Sequence, residues 1–144
     1  MMADINLSEL ATTLDSEDMI GFTRVFVEDI RRGFNNVTLE RYPWMEEIGN
    51  TEWKGVLALG MGGSAAGGDF LSALCNLKGK VPVVVQRDYV IPSWWDEKWL
   101  VISTSHSGNT EEAIEATEIV LKAGATVIVI SVSYTHLTLP TTLS

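Results

Sequence analysis

The stretch Val56-Leu57-Ala58-Leu59-Gly60-Met61-Gly62-Gly63-Ser64-Ala65-Ala66-Gly67-Gly68 decides the fold. It opens as a short apolar run and breaks at Gly60. Five glycines within the nine residues 60–68 then permit positive φ and a close approach of backbone to a ligand. Residues 69–78 read as helix, with Phe70, Leu74 and Leu77 on one face and Gly79 as the stop. A strand that feeds a helix through a glycine-rich loop is one unit of an α/β domain.

The rest of the chain repeats that unit. Residues 81–85 and 100–103 are β-branched or apolar runs of strand length. Residues 110–123 read as helix, with Ala113, Ala116 and Val120 on one face, Glu118 and Lys122 placed to pair, and Gly124 as the stop. Residues 126–130 form a fourth strand-like run. These runs are continuously apolar and do not alternate, so both faces of the sheet are expected to be covered. The expected fold is therefore α/β, a doubly wound parallel sheet in a three-layer sandwich, truncated after about the fourth strand.

Upstream, Phe22, Phe26, Ile30 and Phe34 recur every four residues and predict an amphipathic helix over 17–34, packed on the domain. Asp15 or Ser16 is expected to cap its start and Asn35-Asn36 to end it. Residues 87–99 link the second and third strands without a helical pattern, and Trp94, Trp95 and Trp99 there either cover the sheet edge or form a subunit contact. Residues 131–144 read SVSYTHLTLPTTLS, threonine-rich with no helical stripe where an α/β domain should turn into another helix. This tail is expected to be non-native, frameshifted or vector-derived. The expected organisation is an N-terminal helical segment over 1–50, an incomplete domain over 51–131 and the tail over 132–144.

Composition narrows the function. A chain of 144 residues that is 46% hydrophobic and 20% charged is globular, of one-domain size, and too apolar for disorder. No apolar run reaches the ~18 residues of a membrane span, and MMADINLSEL is not a secretory signal. The single cysteine, Cys75, excludes an intrachain disulfide and a cysteine-rich metal site, and a cytoplasmic setting is expected. Ten Lys and Arg against nineteen Asp and Glu give a net charge of −9, which repels nucleic acid, so neither nucleic acid nor membrane is expected as a partner.

Two loops could nevertheless hold an anion. The first is 60–68. The second is Ser103-Thr104-Ser105-His106-Ser107-Gly108-Asn109-Thr110, which leaves the third strand and enters a helix that Asn109 or Thr110 can cap. In a sheet ordered 2-1-3-4 the first and third strands are neighbours and their loops open into one crevice at the topological switch point. Neither loop carries Lys or Arg, so a phosphate would be held by hydroxyls, backbone amides and helix N-termini. The missing lysine also excludes the Gly-x-x-x-x-Gly-Lys-Ser/Thr nucleotide loop. Gly60-x-Gly62-x-x-Ala65 with Asp88 after the second strand also fits a dinucleotide-binding turn, a reading that leaves the serine-rich loop unexplained.

Together the loops resemble the sugar isomerase (SIS) domain family. Ser105-His106-Ser107-Gly108-Asn109-Thr110-Glu111 is similar to that family's Ser-x-Ser-Gly-x-Thr phosphosugar loop. Gly60-Met61-Gly62-Gly63-Ser64 with Gly67-Gly68-Asp69, and Arg87-Asp88-Tyr89 with Pro92 and Trp94, resemble the bifunctional phosphoglucose/phosphomannose isomerases. The resemblance implies a SIS-type, flavodoxin-like sandwich and a homodimeric parent enzyme with two such domains. It implies interconversion of glucose 6-phosphate or mannose 6-phosphate with fructose 6-phosphate, without metal or organic cofactor. Carried over, Gly62, Gly63 and Ser64 line the sugar-phosphate site, Ser105, Ser107 and Thr110 bind the phosphate, and Ser103 is a weaker candidate. The family's catalytic glutamate and ring-opening histidine are expected beyond this sequence, so the chain alone is expected to be inactive. His106 stands where tyrosine is common, and is either a solvated side chain or a contact to the sugar ring. Glu111 and Glu112 read as first-turn residues that suit the helix dipole. A sugar-phosphate sensor is the alternative from another class, although residues 1–50 carry no recognisable DNA-binding module.

Overall fold

A computed structural model describes residues 7–88, 90–108 and 110–132. Tyr89, Asn109 and residues 133–144, on which parts of the resemblance, one capping expectation and most of the tail reading fall, lie outside the described residues. The chain divides into two compact units, Met1–Thr51 and Glu52–Ser144.

The first unit is helical. It contains α1 (Leu7–Leu14), α2 (Met19–Asn36) and α3 (Met45–Asn50). Asp18, at φ 52°, is the N-cap of α2 and accepts a hydrogen bond from the Gly21 amide at 3.2 Å. The Asp15 carboxylate takes the next two free amides, Met19 N at 2.7 Å and Ile20 N at 2.8 Å. Of the two expected caps, then, Asp15 serves and Ser16 does not, because two carboxylates already satisfy the exposed N–H groups of the first turn. No residue of α2 is buried, and Phe34 is 81% exposed.

The second unit is the α/β domain. Its elements are β1 (Gly55–Leu59), α4 (Gly63–Lys78), β2 (Val83–Gln86), β3 (Trp99–Thr104), α5 (Glu111–Lys122) and β4 (Val127–Ile130). All pairings are parallel and the strand order is β2-β1-β3-β4. Alternation along β1 assigns the layers. Leu57 and Leu59 join Val101 of β3 and Ala116 and Val120 of α5 in the buried core. The intervening Ala58 faces α4, where Gly68 approaches so closely that a side chain would meet Ala58 Cβ at 2.9 Å. The Ser72 hydroxyl of α4 donates to the Val83 carbonyl at 3.1 Å, and Arg87 after β2 pairs with Asp69 of α4 at 2.5 Å. Helices thus lie on opposite faces of one parallel sheet, the expected doubly wound arrangement.

One boundary departs from expectation. α4 begins at Gly63, six residues before the predicted start, so Ala65, Gly67 and Gly68 are helical and the turn proper is Gly60-Met61-Gly62. Packing against the sheet, with Ala65 buried, overrides the poor helix propensity of the glycines. Gly79 and Gly124 stop α4 and α5 as expected; the Gly79 amide donates to the Cys75 carbonyl at 2.7 Å, and Gly124 has φ 88°. In the 87–99 link, Trp95 and Trp99 pack against the core and the Trp94 ring lies 4.8 Å from that of Trp99, which is itself the first residue of β3. Lys54 anchors this link by pairing with Asp96. That hydrogen bond holds the Asp96 carboxyl below its ordinary pKa, against the opposing effect of desolvation and with lesser help from the Lys98 amide.

Candidate functional site

β1 and β3 are hydrogen-bonded neighbours running the same way, so the loops that follow them emerge side by side at the carboxyl end of the sheet. In the first loop, Gly62 adopts φ 51° and ψ −126°, a conformation that strains any residue with a Cβ, and is the N-cap of α4. This turn delivers Ser64 to the first turn of α4. The second loop is tied to the end of β4 by the Ser105 amide, which donates to the Ile130 carbonyl at 3.0 Å. The loops meet directly: the His106 amide donates to Ser64 Oγ at 3.2 Å, across 42 residues of sequence.

Within the second loop three hydroxyls cluster. Thr110 Oγ1 lies 3.0 Å from Ser105 Oγ and 3.4 Å from Ser107 Oγ, and the Gly108 amide donates to Ser105 Oγ at 3.1 Å. Gly108 has φ 66°, which folds the loop back onto Ser105. Thr110 is the N-cap residue of α5 by position, but its side chain bonds its loop neighbours and makes no capping hydrogen bond. The expectation of a threonine cap therefore fails, because the hydroxyl is already engaged by Ser105.

Between the loops lies an open cleft of about 520 Å³. Met61, Gly63, Ser64 and Gly67 line it from the first loop and α4, Thr104 and His106 from β3 and its loop, and Ile130, Ser131 and Val132 from the end of β4. Of the residues singled out from sequence, Gly63 and Ser64 line the cleft and Gly62 shapes its turn. Ser105, Ser107 and Thr110 form the adjoining hydroxyl cluster rather than the cleft wall. Ser103 is in neither. It is 2% exposed and faces α5, where Thr117 Oγ1 lies 2.7 Å from Ser103 Oγ and 2.5 Å from the Ala113 carbonyl. Its neighbour Thr104 takes the cleft-facing position instead, and sequence reasoning missed it. The signal was present: Val101 belongs to the α5 core, so strand alternation sends Ser103 to the same side and Thr104 to the other. The contribution of the β4 end was missed because no motif marks it. Among the described residues, no group of three or more His, Cys, Asp or Glu is placed to hold a metal ion, and no helix is long and apolar enough to cross a membrane.

By architecture the second unit is an α/β fold that it shares with solved structures assigned as phosphosugar isomerases. A Bacillus subtilis protein assigned as a phosphosugar isomerase superposes with a TM-score of 0.55 at 24% identity, covering 63% of this chain and 29% of that one. A Salmonella typhimurium LT2 protein assigned likewise gives 0.53 at 23% identity, covering 63% and 29%. The particular likeness is in sequence, to bifunctional phosphoglucose/phosphomannose isomerases. That of Caldicellulosiruptor bescii is 47% identical over 76 residues, 53% of this chain and 22% of that protein. That of Aquifex aeolicus is 36% identical over 91 residues, 61% and 27%. The matched part thus spans less than a third of the curated relatives. No protein-family profile matches the chain. The resemblance drawn from the two loops is borne out by these relatives, and so is the fold class.

Proposed function

We propose that residues 51–131 are the sugar-phosphate-binding domain of an aldose–ketose isomerase, a homodimeric cytoplasmic enzyme that interconverts glucose 6-phosphate or mannose 6-phosphate with fructose 6-phosphate. The observation that carries this reading is the Ser64–His106 hydrogen bond, which joins the two loops at the carboxyl end of adjacent strands. In this reading the phosphate monoester is bound by the Ser105, Ser107 and Thr110 hydroxyls, by Ser64, and by the amides at the starts of α4 and α5. The sugar extends into the cleft against Gly62, Gly63 and Thr104. Isomerisation through an enediol needs a base to carry a proton between C1 and C2. Among the described residues none that lines the cleft is a carboxylate, and we assign the base to another part of the whole protein.

The test is titration of the purified 144-residue chain with fructose 6-phosphate and, separately, with NAD, together with an isomerisation assay. Saturable fructose 6-phosphate binding without turnover is expected. Saturable NAD binding without sugar-phosphate binding would overturn the proposal in favour of a dinucleotide site. Full turnover by the chain alone would overturn the assignment of the base elsewhere.

A further inference from the structure

α4 has two unlike faces. Ala65 is buried, Gly68 approaches Ala58 and Val85, and the Ser72 hydroxyl donates to the Val83 carbonyl, so these positions define the side of the helix that meets the sheet. The side turned away from them is apolar, where an outward helix face is ordinarily polar. Phe70 is 63% exposed, Leu74 56% and Leu77 82%. Ala73 is exposed as well, and Ala66 is half-buried. The helix has two charged residues, Asp69 and Lys78. Asp69 pairs with Arg87 after β2, and Lys78 lies in the last turn.

The apolar side carries a pattern. Ala66, Phe70, Ala73 and Leu77 follow one another at intervals of four, three and four residues, the spacing with which one helix meets another along a seam. Small and large side chains alternate along it. Laid antiparallel on a second copy of itself, this seam forms layers in which Ala66 meets Leu77 and Phe70 meets Ala73, each pair occurring twice about the twofold axis. Every large side chain then faces a small one, which is what close packing requires. A parallel pairing would set Phe70 on Phe70 and Ala66 on Ala66, crowded in one layer and hollow in the next. Charge points to the same occupant. Two chains of net charge −9 repel, so they can meet only where neither presents its charge. The seam carries none, and offers neither a basic nor an acidic partner anything to pair with.

We infer that the outer face of α4 is the surface by which two copies of this chain associate, antiparallel, in the register that sets Ala66 against Leu77. The inference locates on this helix the homodimer proposed above and does not depend on the sugar-phosphate reading. From Ala66 to Leu77 the seam runs about 16 Å. That is small for a stable interface, so monomer and dimer should exchange at micromolar concentrations.

The experiment is sedimentation of the 144-residue chain over roughly 1–100 μM, with circular dichroism as the folding check. The wild-type mass should climb towards twice that of one chain. Leu77→Glu puts a charge at an exposed position and should hold the mass at that of one chain. Adding Ala66→Lys should restore the dimer, because within one helix the two positions are about 16 Å apart and can pair only across the seam. Cross-linking reads the register a second way. With the single cysteine removed as Cys75→Ser, an Ala66→Cys chain mixed with a Leu77→Cys chain should give a disulfide-linked dimer that neither chain gives alone. A monomeric wild type, a dimer indifferent to Leu77→Glu, a cross-link formed by either chain alone, or failure of both the rescue and the mixed cross-link overturns the inference. Each of these leaves the sugar-phosphate reading to its own titration with fructose 6-phosphate.

Discussion

Ser103 and Thr104 are adjacent in sequence and opposite in consequence. Both are hydroxyl residues at the end of β3, yet Ser103 is sealed against α5 while Thr104 lines the cleft. The composition of the loop was legible in the sequence. The facing of each hydroxyl was not, because a Ser/Thr-rich run has no apolar pattern of its own and its parity must be carried from Val101. Two substitutions separate the roles. Thr117→Val removes the buried hydroxyl that Ser103 contacts and is expected to cost about 1–3 kcal/mol of folding stability while leaving fructose 6-phosphate affinity unchanged. Thr110→Ala acts on the proposed phosphate cluster and is expected to weaken affinity by about tenfold, equivalent to a hydrogen bond to a charged group. Denaturant unfolding and ligand titration of the same two variants provide the check. If Thr110→Ala lowers stability and spares affinity, the cluster is only a brace for the turn.

At the level of elements, the four strands and α5 were readable because they are short apolar runs or carry a stripe of small apolar residues. α1 and α3 were not, being 8 and 6 residues long with no sustained stripe. The start of α4 was misread for a different reason. Glycine signals a loop when its neighbours are unknown, but here it lets a helix approach a sheet. Gly68 is the contact point, where an added Cβ would lie 2.9 Å from Ala58 Cβ and 3.2 Å from Val85 Cγ2. Alanine normally stabilises a helix by up to about 1 kcal/mol relative to glycine. At this position overpacking costs about 1–3 kcal/mol, and the helix or strand must move to relieve it. Gly68→Ala should therefore lower the melting temperature. Gly67→Ala, one residue earlier with nothing within 4 Å of its added Cβ, should raise it. A stabilised Gly68→Ala chain would mean that α4 does not sit this close to β1 and β2.

For the molecule as a whole, the strand order follows from sequence once two parallel crossovers are recognised, because right-handed connections on opposite faces leave few other arrangements. The charge is equally plain to read, and it sets the kinetics of any anionic ligand. At about 10 mM salt the screening length is roughly 30 Å and the net negative field reaches an approaching dianion; at about 150 mM it shrinks to roughly 8 Å. The association rate for fructose 6-phosphate, followed by tryptophan fluorescence in a stopped-flow instrument, should therefore rise by about two- to fivefold over that range. A fall would reveal an attractive field that outweighs the acidic surface. The pairing of β1 with β3 has a final consequence for how the chain acquires its competence. Gly55 aligns with Trp99 only after the whole of α4, β2 and the tryptophan link have been gathered between them. Closing so long a segment is slow compared with local helix formation. During refolding, helical signal should therefore appear early, whereas the proposed capacity to capture a sugar phosphate should emerge only in the late phase that zips these two strands together.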